Sequence, residues 1–317
     1  LQKRYRTGFV MIKRTQNRIA ESRWALPICA AYTLLICIIS GLFVEGIWVQ
    51  LALTAVATLL MVELNNRNSL IRIYSRMVSC SFLVLTMMTP HKIESTDGCI
   101  VSVCFVAFYL ALFHAYQDKK ATGYVLWAFT AIGIASTVWI QILLFVPVLW
   151  VLTGTNILAL SMRTFVASIM GILLPYWFIS AYYIYMGDIT PLIQHVASIA
   201  EFGQPFEFYN CSINDLLPLG FIALLAITGS IHFLRTSYMD KIRTRMIYEM
   251  FITMTIATMV LIILQPQHAN IATHMLIIST APLIGHFLAL TSTKITNIAS
   301  LTFMAIALVI TALNLWT

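Results

Sequence analysis

The chain has 317 residues, of which 60% are hydrophobic and only 10% are charged. This composition leaves too little polar surface to cover a water-soluble globule of that size, so a soluble globular fold is excluded. The net charge of +7 does not indicate nucleic acid binding, because the lysines and arginines stand at the ends of apolar segments and form no aromatic-interleaved basic face. The sequence predicts a membrane protein with no nucleic acid partner.

Apolar stretches long enough to cross a bilayer as α-helices recur along the whole chain. Hydropathy predicts about eleven spans, at residues 25–44, 47–64, 77–89, 99–116, 121–136, 138–155, 164–186, 215–234, 246–264, 271–290 and 297–316. The fifth and sixth form one apolar stretch that is long for a single helix. We interpret it as two crossings, and a re-entrant pair is the alternative.

The distribution of positive charge predicts the orientation of these spans. With eleven crossings and a cytoplasmic amino terminus, 18 of the 19 lysines and arginines face the cytoplasm, and only Lys92 lies outside. Counting 121–155 as one crossing would move Arg163 and the basic residues of 235–245 to the outer side. We therefore expect an all-α, polytopic transmembrane helical bundle of the bacterial inner (cytoplasmic) membrane, with a periplasmic carboxyl terminus.

The connections between spans divide the chain further. We expect residues 1–24 to form a basic cytoplasmic or interfacial segment and residues 25–317 to form a single transmembrane domain. The longest connection, 187–214, is placed in the periplasm, and its aromatic side chains suit a lid at headgroup level. On the inner side, 65–76 is interpreted as an interfacial stretch with Leu70, Ile71 and Tyr74 toward lipid.

Candidate chemistry concentrates at two outer connections. Glu45 stands in the tight turn between the first two spans, where a carboxylate can act as a general base. The next outer loop carries His91, Lys92, Glu94 and Asp97, and carboxylates beside a cation suit the binding and activation of a phosphorylated substrate. We predict Glu45 and Asp97 as catalytic and the other three as substrate-binding, with a solvated turn or loop as the simpler alternative.

Other combinations of side chains give weaker signals. Four histidines fall near the outer face but show no local metal-binding pair, so we expect no metal and no cofactor; they are His91, His195, His268 and His274. Cys99 and Cys211 lie near the same boundary and are candidates for a disulfide bond, with unpaired thiols as the alternative. The motifs of soluble hydrolases, zinc proteases, P-loop ATPases and dinucleotide-binding enzymes are absent.

Two regions carry a resemblance to known families. The stretch from Glu63 to Arg76 and the region from Gly133 to Trp177 resemble an uncharacterised family of bacterial polytopic inner-membrane proteins. The same regions are similar, distantly, to the GT-C superfamily of polyprenyl-phosphate-sugar glycosyltransferases. The matching motifs are an R-x-x-S segment at Arg72–Ser75, a G-[LI]-A-[ST] turn at Gly133–Ser136, and P-x-W at Pro175–Trp177. The resemblance implies an outer acidic catalytic residue, which Glu45 matches in position, but this chain lacks the large first outer loop of that superfamily.

Three functional hypotheses follow. The first is a glycosyltransferase that uses a lipid-linked sugar at the periplasmic face, with Lys92 as the phosphate partner and 187–214 as the acceptor-side lid. The second is a non-catalytic subunit of an envelope assembly complex, which predicts sensitivity at packing positions such as Gly133 and Pro175. The third is a carrier of lipids or small molecules. Their partners are membrane lipids, a polyprenyl-phosphate-linked substrate and other membrane subunits.

Overall fold

The computed structural model describes residues 14–42, 46–208 and 212–316. Within these ranges the chain is all-helical and contains no β-strand. The α-helices are α1 (Thr15–Ala20), α2 (Ala25–Ile39), α3 (Trp48–Asn68), α4 (Met77–Met87), α5 (Thr96–His114), α6 (Thr122–Val138), α7 (Val146–Thr155), α8 (Met162–Met186), α9 (Thr190–Ala197), α10 (Ile213–Thr236), α11 (Ile242–Leu264), α12 (Ala269–Leu290) and α13 (Lys294–Trp316). Short 3-10 turns stand at Pro90–Glu94, Ile140–Phe145, Ser198–Ala200, Ser237–Met239 and Pro266–His268.

Several of these helices have the length and apolar composition of membrane spans. Among the described residues, seven qualify, namely those at 48–68, 96–114, 162–186, 213–239, 242–264, 266–290 and 294–316. Four shorter apolar segments lie at 25–39, 77–87, 122–138 and 140–155. The all-helical class is confirmed for the described residues, and the length and composition of these apolar helices are those of a membrane protein, since an α-helix satisfies its own peptide groups in lipid.

Local side-chain chemistry fixes where several helices begin and end. Ser161 caps α8 by accepting from the Thr164 amide, and the Thr164 hydroxyl accepts from the Ser161 amide in return. The Ser95 hydroxyl caps α5 in the same manner, by accepting from the Gly98 amide. Helix α8 stops at Gly187, whose φ of 78° is left-handed and suits glycine. The long connection to α10 therefore begins at a defined residue.

Helix α12 is the centre of the bundle. Nearly all of its side chains are buried, and it packs against α4, α5, α10 and α11. Two of these contacts depend on glycine: a Cβ on Gly285 would lie 3.0 Å from the Val78 amide nitrogen, and one on Gly229 would lie 2.9 Å from the Leu283 carbonyl carbon. Small residues permit such close helix approach inside a membrane.

Helices α6 and α8 form a second close contact that is also built on glycine. A Cβ on Gly133 would lie 2.7 Å from the Ile172 carbonyl oxygen. Conversely, a Cβ on Gly171 would lie 2.6 Å from the Leu126 carbonyl oxygen. The backbone of each helix thus lies against a glycine of the other helix, where no side chain separates the two.

The segment between α3 and α4 differs from its predicted orientation. Leu70 and Ile71 are buried in the main hydrophobic cluster, so the prediction that they face lipid is wrong. Of the three side chains predicted to face lipid, only Tyr74 is exposed, at 55%. The Asn65 side-chain amide donates to the Ser75 carbonyl oxygen at 2.9 Å, which closes the segment into a compact turn and directs the two aliphatic side chains inward.

The short helix α1 docks onto the bundle. Gln16, only 2% exposed, donates from Nε2 to the carbonyl oxygens of Phe287 and Leu288 and to the Thr291 hydroxyl. The backbone amide nitrogen of Gln16 donates to Asn297 Oδ1 at 3.0 Å. Residues 14–20 therefore belong to the packed structure and cover the junction between α12 and α13.

Candidate functional site

A cluster of charged side chains forms where α10 begins. His91 and Lys92 come from the 3-10 turn before α5, and Asp215 comes from the first turn of α10. Asp215 Oδ1 lies 3.0 Å from His91 Nε2 and 3.3 Å from Lys92 Nζ. The cluster joins a predicted outer loop to a helix more than a hundred residues away in sequence.

The three side chains differ in their access to solvent. The Lys92 side chain is 5% exposed, and its ammonium also donates to the Thr273 hydroxyl at 3.4 Å. The His91 and Asp215 side chains are 41% and 35% exposed. The second Asp215 oxygen accepts from the Ser212 hydroxyl at 2.9 Å, so the carboxylate is held from both sides. A buried cation next to an oriented carboxylate and an accessible imidazole provides a charge-stabilising group and an acid–base group at one place.

These side chains open onto a polar cavity of about 420 Å³. We call it the His91 cavity; its lining residues are His91, Lys92, Gly203, Gln204, Glu207, Asp215, Pro266, Gln267, Ala269 and Asn270. Its walls come from the turn before α5, the start of α10, the junction of α11 with α12, and the long connection after α8. The cavity is therefore formed by four separate parts of the chain, which is common for small-molecule sites.

The long connection 187–214 contributes one wall of this cavity and is fastened to the helices beneath it. Gln265 accepts from the Gly203 amide at 2.8 Å and donates to the Gly203 carbonyl oxygen at 3.3 Å. Gln267 donates to the Glu201 carbonyl oxygen at 3.3 Å. His195 Nε2 lies 2.9 Å from the Ser136 carbonyl oxygen at the end of α6. The described part of the connection thus covers the helix ends, as a lid would.

An apolar groove of about 320 Å³ begins beside the His91 cavity. We call it the α10–α11 groove; its lining residues are Phe208, Leu216, Leu219, Gly220, Ala223, Met259, Ile262, Ile263 and Leu276. Neighbouring residues line the two spaces, because Glu207 and Asp215 line the cavity while Phe208 and Leu216 line the groove. The polar cavity and the apolar groove therefore lie close together near the start of α10.

The other predicted site residues lie elsewhere. Glu94 and Asp97 are exposed and do not line the His91 cavity. The Glu94 carbonyl oxygen accepts from Gln50 at 3.3 Å, which ties the turn to α3. Glu45 lies outside the described residues. Of the five predicted residues, the structure brings together His91 and Lys92.

The histidines and cysteines fit packing interactions. Apart from His91, each of the histidines predicted near the outer face contacts a neighbouring polar group. His195 contacts the Ser136 carbonyl oxygen, His268 contacts the Trp139 indole nitrogen, and His274 contacts the Ser102 hydroxyl. No grouping of three or more potential metal ligands occurs among the residues that the structure describes. Cys99 is a free, buried thiol beside Thr54, whereas Cys211 lies outside the described residues.

Asp215 was missed by sequence reasoning. Its sequence signal is the pattern Ser212-x-x-Asp215, which is that of a helix amino-terminal cap. The structure confirms that local function, because the Ser212 hydroxyl accepts from the Asp215 amide at 3.2 Å. Capping is a sufficient reason for an acidic residue in the first turn of a helix. Nothing in the sequence therefore indicated that Asp215 also contacts His91 and Lys92.

Comparison with known proteins adds no further constraint on this site. The resemblance to the GT-C superfamily stays a prediction from the motifs at Arg72, Gly133 and Pro175. The site geometry is therefore the basis for assigning a function. No protein-family model matches the chain, and no curated protein or solved structure is significantly similar to it.

Proposed function

We propose that this protein is a membrane transferase that acts on a lipid-linked substrate at the periplasmic face of the bacterial inner membrane. A sugar on polyprenyl phosphate is the substrate class that the GT-C resemblance implies. The proposal includes the topology of about eleven spans with a cytoplasmic amino terminus, which places the His91 cavity outside. The observation that carries it is that adjacent residues line the polar His91 cavity and the apolar α10–α11 groove.

A polar cavity close to an apolar groove suits an amphiphilic molecule. The groove is lined by aliphatic and aromatic side chains and suits an isoprenoid or acyl chain. The cavity begins one residue away at both Glu207 and Asp215 and offers charged and polar groups to a headgroup. A lipid lying between α10 and α11 would therefore place its headgroup bond beside His91.

The roles of the charged residues follow from their contacts. Asp215 orients the His91 imidazole, which is positioned to take the proton of an acceptor hydroxyl as a general base. Lys92 provides the positive charge that a departing lipid phosphate needs. We assign the base to His91 in preference to Asp97, since Asp97 does not line the cavity. Glu45 stays a proposed catalytic residue on the strength of its sequence position.

The test separates binding from turnover. Lipid binding is measured by native mass spectrometry of purified protein in nanodiscs that contain polyprenyl phosphate. Turnover is measured by comparing glycan and lipid products in cells that express each variant. Ala223→Phe fills the groove and is expected to abolish retention of the polyprenyl lipid, whereas Ala181→Phe on the exposed face of α8 retains it. His91→Gln and Asp215→Asn are expected to retain the lipid and lose the product, and Asp97→Asn to keep both.

Each alternative result has a defined meaning. Lipid retention that is equal in both phenylalanine variants would refute binding in the groove. Normal products from His91→Gln and Asp215→Asn, together with lipid retention that depends on Ala223, would refute the transferase and favour the carrier hypothesis, which the same amphiphilic site fits. Loss of an assembly partner without any change in lipid binding or products would favour a membrane subunit.

A further inference from the structure

A second polar cavity lies at the opposite end of α10. Helix α10 runs from Asp215 in its first turn to Thr236, followed by Asp240 after a short 3-10 turn, so the two cavities are separated by roughly 35 Å of helix. The second cavity has a volume of about 380 Å³ and lies between the α3–α4 connection and the start of α11. We call it the Arg72 cavity; its polar lining includes Asn65, Arg72, Tyr74, Ser75, Asp240 and Lys241.

A buried contact between a carboxylate and an imidazole fixes one wall of the Arg72 cavity. Asp240 Oδ2 lies 3.1 Å from His286 Nε2 on the central helix, and the two side chains are 3% and 0% exposed. Asp240 Oδ1 lies 3.9 Å from Arg72 Nη1. The Arg72 guanidinium also donates to the Met239 carbonyl oxygen at 3.4 Å. The carboxylate is thus engaged by groups of the protein on both of its oxygens.

Two cations of this wall have access to a ligand. The Arg72 side chain is 38% exposed, and Lys241 is exposed at the residue that precedes α11. Lys241 is the amino-terminal cap residue of α11, and none of the described side chains caps this helix, so the first amides of α11 add positive potential. With Asp240 engaged, the charge left for a ligand is positive, which favours an anion.

One of the residues that line the cavity also has an unused acceptor. Asn65 is 7% exposed, its Nδ2 donates to the Ser75 carbonyl oxygen, and its Oδ1 is buried without a hydrogen-bond partner among the described residues. A buried polar atom without a partner is costly and calls for a ligand or water. Because an amide oxygen accepts, its ligand must carry a donor such as a hydroxyl group.

We propose that the Arg72 cavity is a binding site for a phosphate ester that carries a free hydroxyl group. The phosphate is bound by Arg72 and Lys241, and the hydroxyl group donates to Asn65 Oδ1. Phosphate groups are matched by guanidinium and ammonium donors, and hydrogen bonds to charged groups are the stronger ones. The ester can be a soluble molecule or the headgroup of a membrane lipid, and both present the same chemistry. This site is independent of the proposed transferase reaction.

The experiment uses the full chain and probes of both sources. Glycerol 3-phosphate and methyl phosphate are titrated by calorimetry into protein in phosphatidylcholine nanodiscs; both are phosphate monoesters, but only the first has free hydroxyl groups. Retention of phosphatidylglycerol and of phosphatidylmethanol is compared by native mass spectrometry. Lys241→Gln tests the site with little risk to folding because Lys241 is exposed. Lys120→Gln removes the same charge from an exposed turn away from the cavity and is the matched control.

The proposal predicts a preference for the hydroxyl-bearing probe and a loss of about tenfold in its affinity in Lys241→Gln. Lys120→Gln is expected to bind as the unaltered protein does. Binding of glycerol 3-phosphate supports a soluble ester, and selective retention of phosphatidylglycerol alone supports a lipid headgroup. The proposal is overturned by binding of neither class, by equal binding of the hydroxyl-free probes, or by equal losses in Lys241→Gln and Lys120→Gln.

Discussion

The contact between α6 and α8 makes a sharp prediction for Gly171→Ala. A Cβ at this position would lie 2.6 Å from the Leu126 carbonyl oxygen and 3.0 Å from the Thr130 amide nitrogen. Ordinary van der Waals contacts of a Cβ begin at 3.4 Å, so the first distance is 0.8 Å too short. Both neighbours are backbone atoms of a helix and cannot rotate away. The two helices must therefore separate, and other contacts between them are lost.

The expected cost lies at the upper end of the range for overpacking a core, about 3 kcal/mol of unfolding free energy. For a chain of 317 residues it corresponds to a fall in melting temperature of about 4 to 5 °C. The measurement is thermal unfolding of the detergent-solubilised protein, followed by tryptophan fluorescence and by survival of the monodisperse peak on size exclusion.

Gly123→Ala is the matched control because it lies on α6 and its added Cβ has no atom of the described residues within 4 Å. Its stability is expected to stay the same or to rise by up to about 1 kcal/mol, since alanine has the higher helix propensity. Equal melting temperatures for Gly171→Ala and Gly123→Ala would refute the reasoning. If Gly171→Ala destabilises the protein, the same contact between α6 and α8 would also explain a loss of function on substitution of Gly133. Such a loss would then not be evidence for a partner subunit.

Three further predictions concern the lid, the amino-terminal helix and the topology. Gln265→Ala removes both hydrogen bonds to Gly203, and we expect faster amide hydrogen exchange at residues 201–208 with an unchanged global melting temperature; unchanged exchange would show that other contacts hold the lid. Gln16→Ala removes the buried amide that fastens α1 and is expected to cost about 2 kcal/mol in thermal unfolding, whereas a cost near zero would show that α1 does not stabilise the α12–α13 junction. Arg163→Cys is expected to react with a membrane-impermeant maleimide only after permeabilisation, and labelling in intact cells would refute the proposed orientation.

The helix positions were predictable because apolar length is a local property. Each predicted span coincides with an apolar helix in the structure, and the break expected within 121–155 falls at Trp139, whose extended backbone separates α6 from the following 3-10 turn. Helix lengths were less predictable. The third predicted span, 77–89, is an α-helix of 11 residues because Met88 leads into the 3-10 turn at Pro90. Whether the shorter segments cross the membrane remains part of the proposed topology.

The candidate site was predictable only in part because its members are far apart in sequence. His91 and Lys92 stood out as a dense polar loop in an apolar chain. Their partner Asp215 is separated from His91 by 124 positions and already had a local explanation as a cap. The Arg72 cavity was missed for a related reason, since Asp240 and Lys241, which line it together with Arg72, are far from Arg72 in sequence. Pairing across distant helices depends on tertiary packing, and single-sequence patterns do not record it.

The burial of α12 has a consequence for how the protein is made. This helix carries His274, Thr280 and His286 on faces that the other helices cover. Exposed to hydrocarbon alone, these side chains would oppose partitioning, whereas α13 presents mostly aliphatic side chains. Its packing partners α4, α5, α10 and α11 all leave the ribosome before it does. We therefore expect α12 to insert stably only after the helices that cover its polar side chains are already in the membrane. The order of the helices along the chain would then matter for insertion as well as for the final fold.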